Sequence, residues 1–286
     1  MNSSPSKTDI IRRLSDTGAC AVGFARAAEV DPADMERFEA YLCAGHHAEM
    51  EYLTSNMDLR RDPRTLLDDA RTVIVCAFCY RRKEPHPLVA DYALSEDYHR
   101  VLPRAIYQAL DGIDGGFRVC VDSAPVLERY WAVRSGIGFI GRNHCLIVPG
   151  VGSKVLLAVI LTTIELAPDT PYQGQCYGCD RCLRACPAGA LGRDSLDCRR
   201  CLSYLTIEHR GPLPEGTRLP GRVVGCDICQ DVCPHNRAEV YAPDILAPMP
   251  KIMAARTPDA LATVSLRNTA LARAGRTNLL RNLAVH

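Results

Sequence analysis

No stretch of this chain of 286 residues reaches the ~18 consecutive apolar residues that a membrane-spanning helix needs. An export signal is missing too. Arg12-Arg13 looks like a twin-arginine pair, but Asp16 follows at once and no clean apolar core appears. The start therefore reads as the first helix of a cytoplasmic protein. Net charge is +1, so no whole-molecule field selects a partner. A dinucleotide fingerprint is also lacking. The run Gly136-Ile137-Gly138-Phe139-Ile140-Gly141 matches G-x-G-x-x-G only as a string, because it follows a helical stretch and no strand–turn–helix frames it. These absences set aside a membrane protein, a secreted disulfide framework and a dinucleotide site at that run.

Cysteine, by contrast, is abundant. Nine of the 15 cysteines fall between Cys176 and Cys233. The first run is Cys176-x-x-Cys179-x-x-Cys182-x-x-x-Cys186-Pro187. In bacterial ferredoxins such a run gives three thiolates to one [4Fe–4S] cluster and the fourth to a second cluster. The second run, Cys226-x-x-Cys229-x-x-x-Cys233-Pro234, is the same pattern without its first cysteine. The crossover logic joins Cys176, Cys179 and Cys182 with Cys233 at one cluster. Cys186, Cys226 and Cys229 then hold the other with one intervening cysteine, and spacing does not choose between Cys198 and Cys201. Structural zinc prefers two separated Cys-x-x-Cys pairs and has no use for this run. The remaining cysteines (Cys20, Cys43, Cys76, Cys79, Cys120 and Cys145) read as small core residues.

Along the chain, residues 6–18 read as a short helix ending at Gly18. Asp31-Pro32 starts a longer helix through Leu53. Arg71 to Tyr80 is a buried strand, Tyr98 to Leu110 a helix, and Phe117 to Asp122 another strand. Pro125 opens a helix stopping near Gly136. Leu146 to Thr163 reads as a β-hairpin around Pro149-Gly150-Val151-Gly152. The alternation predicts an α/β layer domain. Ala167-Pro168 and Pro171 mark a boundary before the cysteine-rich module. From Lys251 onward Arg256, Arg267, Arg273, Arg276 and Arg281 face the single acid Asp259. Such a surplus meets phosphates or simply forms a solvated helix face.

Asp97-Tyr98-His99 begins the cobalt-ligand motif Asp-x-His-x-x-Gly, but Leu102 stands where glycine is needed, so a cobalt-ligating histidine is not expected. The order of strings nonetheless resembles the epoxyqueuosine reductase family, cobalamin-dependent enzymes of the queuosine pathway in tRNA. The strings are Tyr92 to His99, VDSAPVLER from Val121 to Arg129, and GIGFIGRN from Gly136 to Asn143. The cluster run, Arg200-Cys201-Leu202-Ser203-Tyr204-Leu205-Thr206, and GCDICQDVCPHN from Gly225 to Asn236 complete them.

The resemblance implies an α/β, α+β layered cobalamin-binding catalytic domain over residues 1–165. It implies a ferredoxin-like two-[4Fe–4S] domain over 166–240 and a basic helical tail over 241–286, the start of a truncated helical-repeat region. It makes Cys201 the eighth ligand and leaves Cys198 spare. It gives Asp122 the role of proton donor, as a carboxylic acid kept protonated in an apolar pocket. Arg60, Ser95, Asp97, His99, Asn143 and Ser203 are expected around the cofactor or substrate, and His46, His47 and His86 in solvent. The implied cofactors are two [4Fe–4S] clusters and base-off cobalamin. The implied partners are tRNA carrying epoxyqueuosine in its anticodon loop and a low-potential electron donor, with a monomeric enzyme. A reductive dehalogenase-like enzyme and a plain electron-transfer protein are the competing readings.

Overall fold

A computed structural model describes residues 6–286. Helix α1 (Lys7–Asp16) starts where Ser6 Oγ accepts the Asp9 N–H. Strand β1 (Ala21–Arg26), helix α2 (Pro32–Cys43), helix α3 (Met57–Arg61) and strand β2 (Thr72–Cys79) follow. Next come α4 (Tyr98–Ala109), β3 (Phe117–Cys120), α5 (Glu128–Arg134), β4 (Phe139–Ile140), β5 (Leu146–Ile147) and β6 (Val155–Thr162). Four strands form one sheet in the order β1-β2-β6-β3, each neighbouring pair antiparallel. The fold is thus mixed α/β, as expected, with an antiparallel sheet.

Strand β2 explains the layering. All eight of its residues are buried, as a central strand covered on both faces requires. Val73, Val75 and Ala77 point to one side and pack with Trp131 and Ala132 of α5 and with Val159 and Leu161 of β6. Ile74, Cys76 and Phe78 point to the other and meet Ile10 and Leu14 of α1 and Leu102 and Ile106 of α4.

Several expectations change. Leu146–Ile147 and Val155–Thr162 do not pair as a hairpin. The first pairs with β4 and the second with β2 and β3, and only the bridge Val148–Gly152 closes the turn between them. Helix α2 ends at Cys43 rather than Leu53, because Gly45 takes φ +65° and turns the chain. Helix α5 begins at Glu128, three residues after Pro125. Strand β1 is an element the sequence did not announce. His86 and His47 are buried rather than solvated, and His86 Nδ1 accepts the Leu88 N–H at 3.2 Å. Cys43 is exposed rather than in the core. The glycines of the 136–141 string serve packing. Gly136 (φ +77°) ends α5, and a Cβ on Gly138 would lie 2.2 Å from the Ile147 carbonyl oxygen across the β4–β5 pair.

The cysteine-rich module contributes the short helices α6 (Arg181–Ala185), α7 (Leu202–Ile207) and α8 (Ile228–Asp231). A buried ionic junction joins it to the sheet. Lys154 Nζ sits 2.7 Å from both Asp91 and Asp231, and Arg222 pairs with Asp231 at 2.8 Å. Gln230 donates to the Tyr80 hydroxyl at 2.8 Å, and Asn236 Oδ1 accepts the Ser153 N–H at 2.6 Å.

The tail holds α9 (Pro250–Met253), α10 (Pro258–Thr263) and α11 (Gly275–Ala284). Ile252, Leu261, Leu271 and Leu279 share one core with Leu88, Leu94, Ile207 and Val224. Three of its arginines are held within the protein, while Arg256 and Arg267 are exposed. Arg281 donates to the carbonyls of Leu205, His209 and Gly211, and Arg276 to those of Ala262 and Val264. Arg273 grips Glu208 through two bonds of 2.7 Å. Among the described residues no helix is long and apolar enough to cross a membrane.

Candidate active site

A cleft of about 1750 Å³ opens where the three parts of the chain meet. The α/β layer gives it Phe38 and Tyr41 of α2, Arg60, the α4 entrance, the segment from Asp122 to Tyr130, Val133 and Arg134. The cysteine module gives Asp194, Leu196 and Glu208, and the tail gives Thr269, Ala270 and Arg273. The volume exceeds the ~300–1,000 Å³ usual for small-ligand pockets.

At its floor lies a chain of titratable groups. Asp97 caps α4 by accepting the His99 N–H, and the same Oδ1 lies 2.7 Å from His99 Nδ1. The ring's other nitrogen, Nε2, is 2.8 Å from Asp122 Oδ2. Tyr98 OH points at that oxygen from 3.4 Å. Asp122 stands just past β3 with φ +58°, a left-handed conformation costly for a residue with a Cβ. Its backbone N–H donates to Glu128 Oε1 at 2.7 Å.

Burial works against a charged His99, but the hydrogen bonds to Asp122 and Asp97 outweigh it and raise the imidazole above its ordinary value. Burial would likewise raise Asp122, yet the His99 bond and charge, Tyr98 and Arg273 hold it below the usual carboxylate range. The Asp122 side chain is 60% exposed, but what it meets is the cleft interior. Glu128 behaves oppositely: burial, then the Asp122 charge beside it, pushes its carboxyl up to about 8. At neutral pH Glu128 therefore holds its proton, and the surroundings of His99 favour its protonated form. Without a bound group covering the site, the histidine partner favours the Asp122 carboxylate over the protonated acid expected from the resemblance. Glu128 went unremarked as a site residue, although it lies inside the VDSAPVLER string. The signal available was its place at the first turn of α5, next to another carboxylate.

The other expected residues divide. Arg60 lines the cleft, buried, with its guanidinium donating to the Tyr52 and Ser55 carbonyls and its Cζ 5.9 Å from the Phe38 ring. Ser95 is fully buried, touches the Tyr92 carbonyl, and is absent from the cleft wall. Asn143 is buried beside Cys176, Cys179, Cys182 and Cys233 rather than in the cleft. Ser203 is half-buried outside the cleft wall, and its backbone N–H is directed at the Cys201 thiol.

The thiols fall into two sets. Cys233 faces Cys176 and Cys179, and Cys182 faces Cys176 and Cys233. Cys201 faces Cys186, and both Cys226 and Cys229 face Cys201. Backbone N–H groups point at the sulfurs of Cys182, Cys201, Cys226 and Cys233, and the Ala190 N–H donates to Cys186 Sγ at 3.3 Å. Such N–H···S contacts stabilise thiolate on a cluster and tune its potential. Cys198 is buried, with its sulfur 3.2 Å from the Tyr41 hydroxyl. Cys145 faces Cys201, Cys229 and Cys233, so it stands between the two sets rather than in a plain apolar core.

Comparison with known proteins agrees with this geometry. A family model described as a 4Fe-4S double cluster binding domain matches residues 175–236, and one described as epoxyqueuosine reductase QueG, DUF1730, matches residues 60–123. An epoxyqueuosine reductase of Gloeobacter violaceus is 40% identical over 250 residues, covering 82% of this chain and 78% of the relative. The crystal structure of an epoxyqueuosine reductase with a tRNA-Tyr epoxyqueuosine-modified stem loop superposes with TM-score 0.87 at 28% identity, covering 98% of this chain and 80% of that one. A Bacillus subtilis epoxyqueuosine reductase, described with its catalytic aspartate loop swung out of the active site, gives 0.84 at 28% identity, again covering 98% and 80%. A reductive dehalogenase structure bearing on B12-dependent dehalogenation shares the fold alone, at TM-score 0.51 and 16% identity over 98% of this chain and 39% of that one. With a cluster-bearing module docked on a carboxylate-lined cleft, and relatives that agree over most of its length, the chain belongs to the epoxyqueuosine reductase family of oxidoreductases.

Proposed function

We propose that this protein reduces epoxyqueuosine to queuosine in the anticodon loop of tRNA, with electrons passing through two [4Fe–4S] clusters to a corrinoid in the cleft. The observation that carries the reading is the shared wall. The residues Asp97, His99, Asp122 and Glu128 face one cleft, and Tyr41 on its wall also faces the Cys198 and Cys201 sulfurs. The ligand sets assigned from sequence remain our proposal: Cys176, Cys179, Cys182 and Cys233 for one cluster, and Cys186, Cys201, Cys226 and Cys229 for the other.

The residues present fit a corrinoid. The cleft is large, and apolar side chains such as Phe38, Tyr41, Val126, Val133 and Ile140 alternate with polar ones along it. His144 lines it with a buried Nε2 that lacks a hydrogen-bond partner, a group that a bound ligand's amides would satisfy. Arg60, His144 and Arg129 would hold the cofactor. When bound in its doubly reduced form, the corrinoid supplies the two-electron nucleophile for the epoxide.

The chain's own groups manage protons. Converting an epoxide to an alkene and water consumes two electrons and two protons. Asp122 Oδ2 takes a proton from His99 Nε2 and passes it to the epoxide oxygen as the C–O bond opens. Asp97 holds the imidazole in place through Nδ1. Glu128 holds the second proton, needed when the oxygen leaves as water. Its oxygen also fixes the Asp122 backbone, keeping the carboxylate aimed into the cleft.

The test is anaerobic turnover of epoxyqueuosine-containing tRNA under a low-potential reductant, with nucleosides analysed by mass spectrometry. Queuosine should form only when both clusters and cobalamin are loaded. Formation without cobalamin overturns the corrinoid reading, and no formation with everything loaded overturns the substrate.

A further inference from the structure

The two thiol sets have unlike surroundings. Cys201 and Cys226 pack against an apolar cluster of Cys198, Leu202, Leu205 and Leu219. Cys176, Cys179, Cys182 and Cys233 belong to no such cluster among the described residues. They line a shallow dent at the surface, together with Tyr177, Arg181 and His235.

Tyr177 is the distinctive residue there. It stands between two of the thiols, is 70% exposed, and stacks on the His235 ring at 4.1 Å. His235 in turn meets Phe139 edge-on, and Phe139 stacks on the half-open Tyr172. The result is a row of rings exposed at Tyr177 and Tyr172 and buried at Phe139, with Tyr177 and His235 lining the dent beside the thiols. Its rim is cationic. Arg142 and Arg181 line the dent, Arg184 donates to the Cys179 carbonyl beside it, and Asp180 is already engaged by Arg142 and Arg193. Arg181 and Arg184 are exposed and make no ion pair among the described residues.

We infer that this face docks a small acidic one-electron carrier protein, which delivers electrons to the Cys176-containing cluster for passage to the Cys201-containing one. The inference rests on the two-cluster reading above. An aromatic centre with a charged rim is the anatomy of a protein contact, and redox encounters use small patches. Cations at the rim steer an acidic partner and fix its orientation. Exposed aromatics also stack on bases, but Tyr177 shares its dent with all four thiols of this set, so whatever covers it sits against that cluster. In each encounter the carrier is oxidised by one electron and the cluster reduced by one. Two encounters supply the two electrons that, with two protons, turn the epoxide into an alkene and water.

The test uses the cluster-loaded enzyme and photoreduced bacterial flavodoxin as the probe carrier. Bleaching of the cluster absorbance is followed by stopped flow, and binding of oxidised flavodoxin is titrated separately. Arg181→Glu with Arg184→Glu should lower the second-order rate at low salt at least about tenfold and flatten its salt dependence. Binding should weaken in parallel. Bleaching by dithionite, and affinity for a tRNA stem loop, should stay at the wild-type level. The single Arg181→Glu should show the same trend if the double variant folds poorly. An unchanged flavodoxin rate and salt slope in the single variant would overturn the docking site. Loss of stem-loop affinity with the flavodoxin rate kept would also overturn it, making the face an RNA surface. A wild type that holds no clusters would instead overturn the reading beneath it, and docking with it.

Discussion

Replacing Glu128 by Gln separates the two jobs given to that carboxyl. The amide oxygen still accepts the Asp122 N–H, a bond of 2.7 Å in the wild type, but the proton is gone. Burial first, and the Asp122 charge second, raise Glu128 from 4.5 to about 8, while Arg129 and His99 pull the other way. Once ionised, a carboxyl raised this far costs the folded state up to about 5 kcal/mol, at about 1.4 kcal/mol per tenfold. The sign follows from the direction. A folded-state value above the unfolded one favours the native protein fully below 4.5, and that contribution is lost as pH climbs through about 8. Water entering the cleft screens the charge, so about half is expected to be recoverable. The Glu128→Gln protein should therefore melt like wild type near about pH 4.5, and about 4 °C higher well above about pH 8. In turnover the wild type should lose rate above about pH 8 as Glu128 ionises. The variant should be slower by about 100-fold, the low end for a lost acid, and lack that limb. The assays are anaerobic melts at matched scan rate and single-turnover product formation across the same pH series. Wild-type turnover with the same alkaline limb would refute the proton role. A melting difference independent of pH would refute the buried-carboxyl reasoning itself.

Asp122→Asn should keep corrinoid binding, read from the visible spectrum, while product formation falls about 100-fold or more. Cys201→Ala should halve the iron and sulfide content measured chemically, whereas Cys198→Ala should leave both clusters; the reverse would exchange the two assignments. Lys154→Met should strip the ion-pair partner from buried Asp91, while Asp231 keeps Arg222, and destabilise the protein by about 3–5 kcal/mol, seen as an earlier melt and faster cluster loss on dilution.

What could be read from the sequence was what depends on neighbours in the chain. Ligand spacing in Cys176 to Cys186 is local, and so is the apolar run from Thr72 to Cys79. The misread hairpin shows the limit. Val155–Thr162 is as apolar as a hairpin arm, but its partners are residues 72–79 and 117–120, which no local rule supplies. Strand β1 was hidden by Gly23, whose missing Cβ makes room for the Ser135 carbonyl oxygen. Asp122 was singled out from its string, but its partner His99 lies 23 residues earlier, and only their contact shows what holds its carboxyl below the usual range. The tail looked like a basic face because composition cannot reveal that Arg276 and Arg281 spend their donors on backbone carbonyls.

The three-sided origin of the cleft bears on how the enzyme matures. Asp194, Leu196 and Glu208 reach it only if the cysteine loops are folded, and those loops have little packing of their own beyond the metal they are proposed to carry. Arg273 then reaches it by gripping Glu208. A protein made under iron starvation should keep its sheet, anchored by β2, yet present an open, ill-formed basin instead of a walled one. Corrinoid uptake would then follow iron delivery in time, and affinity for the corrinoid would report how far iron–sulfur assembly has gone.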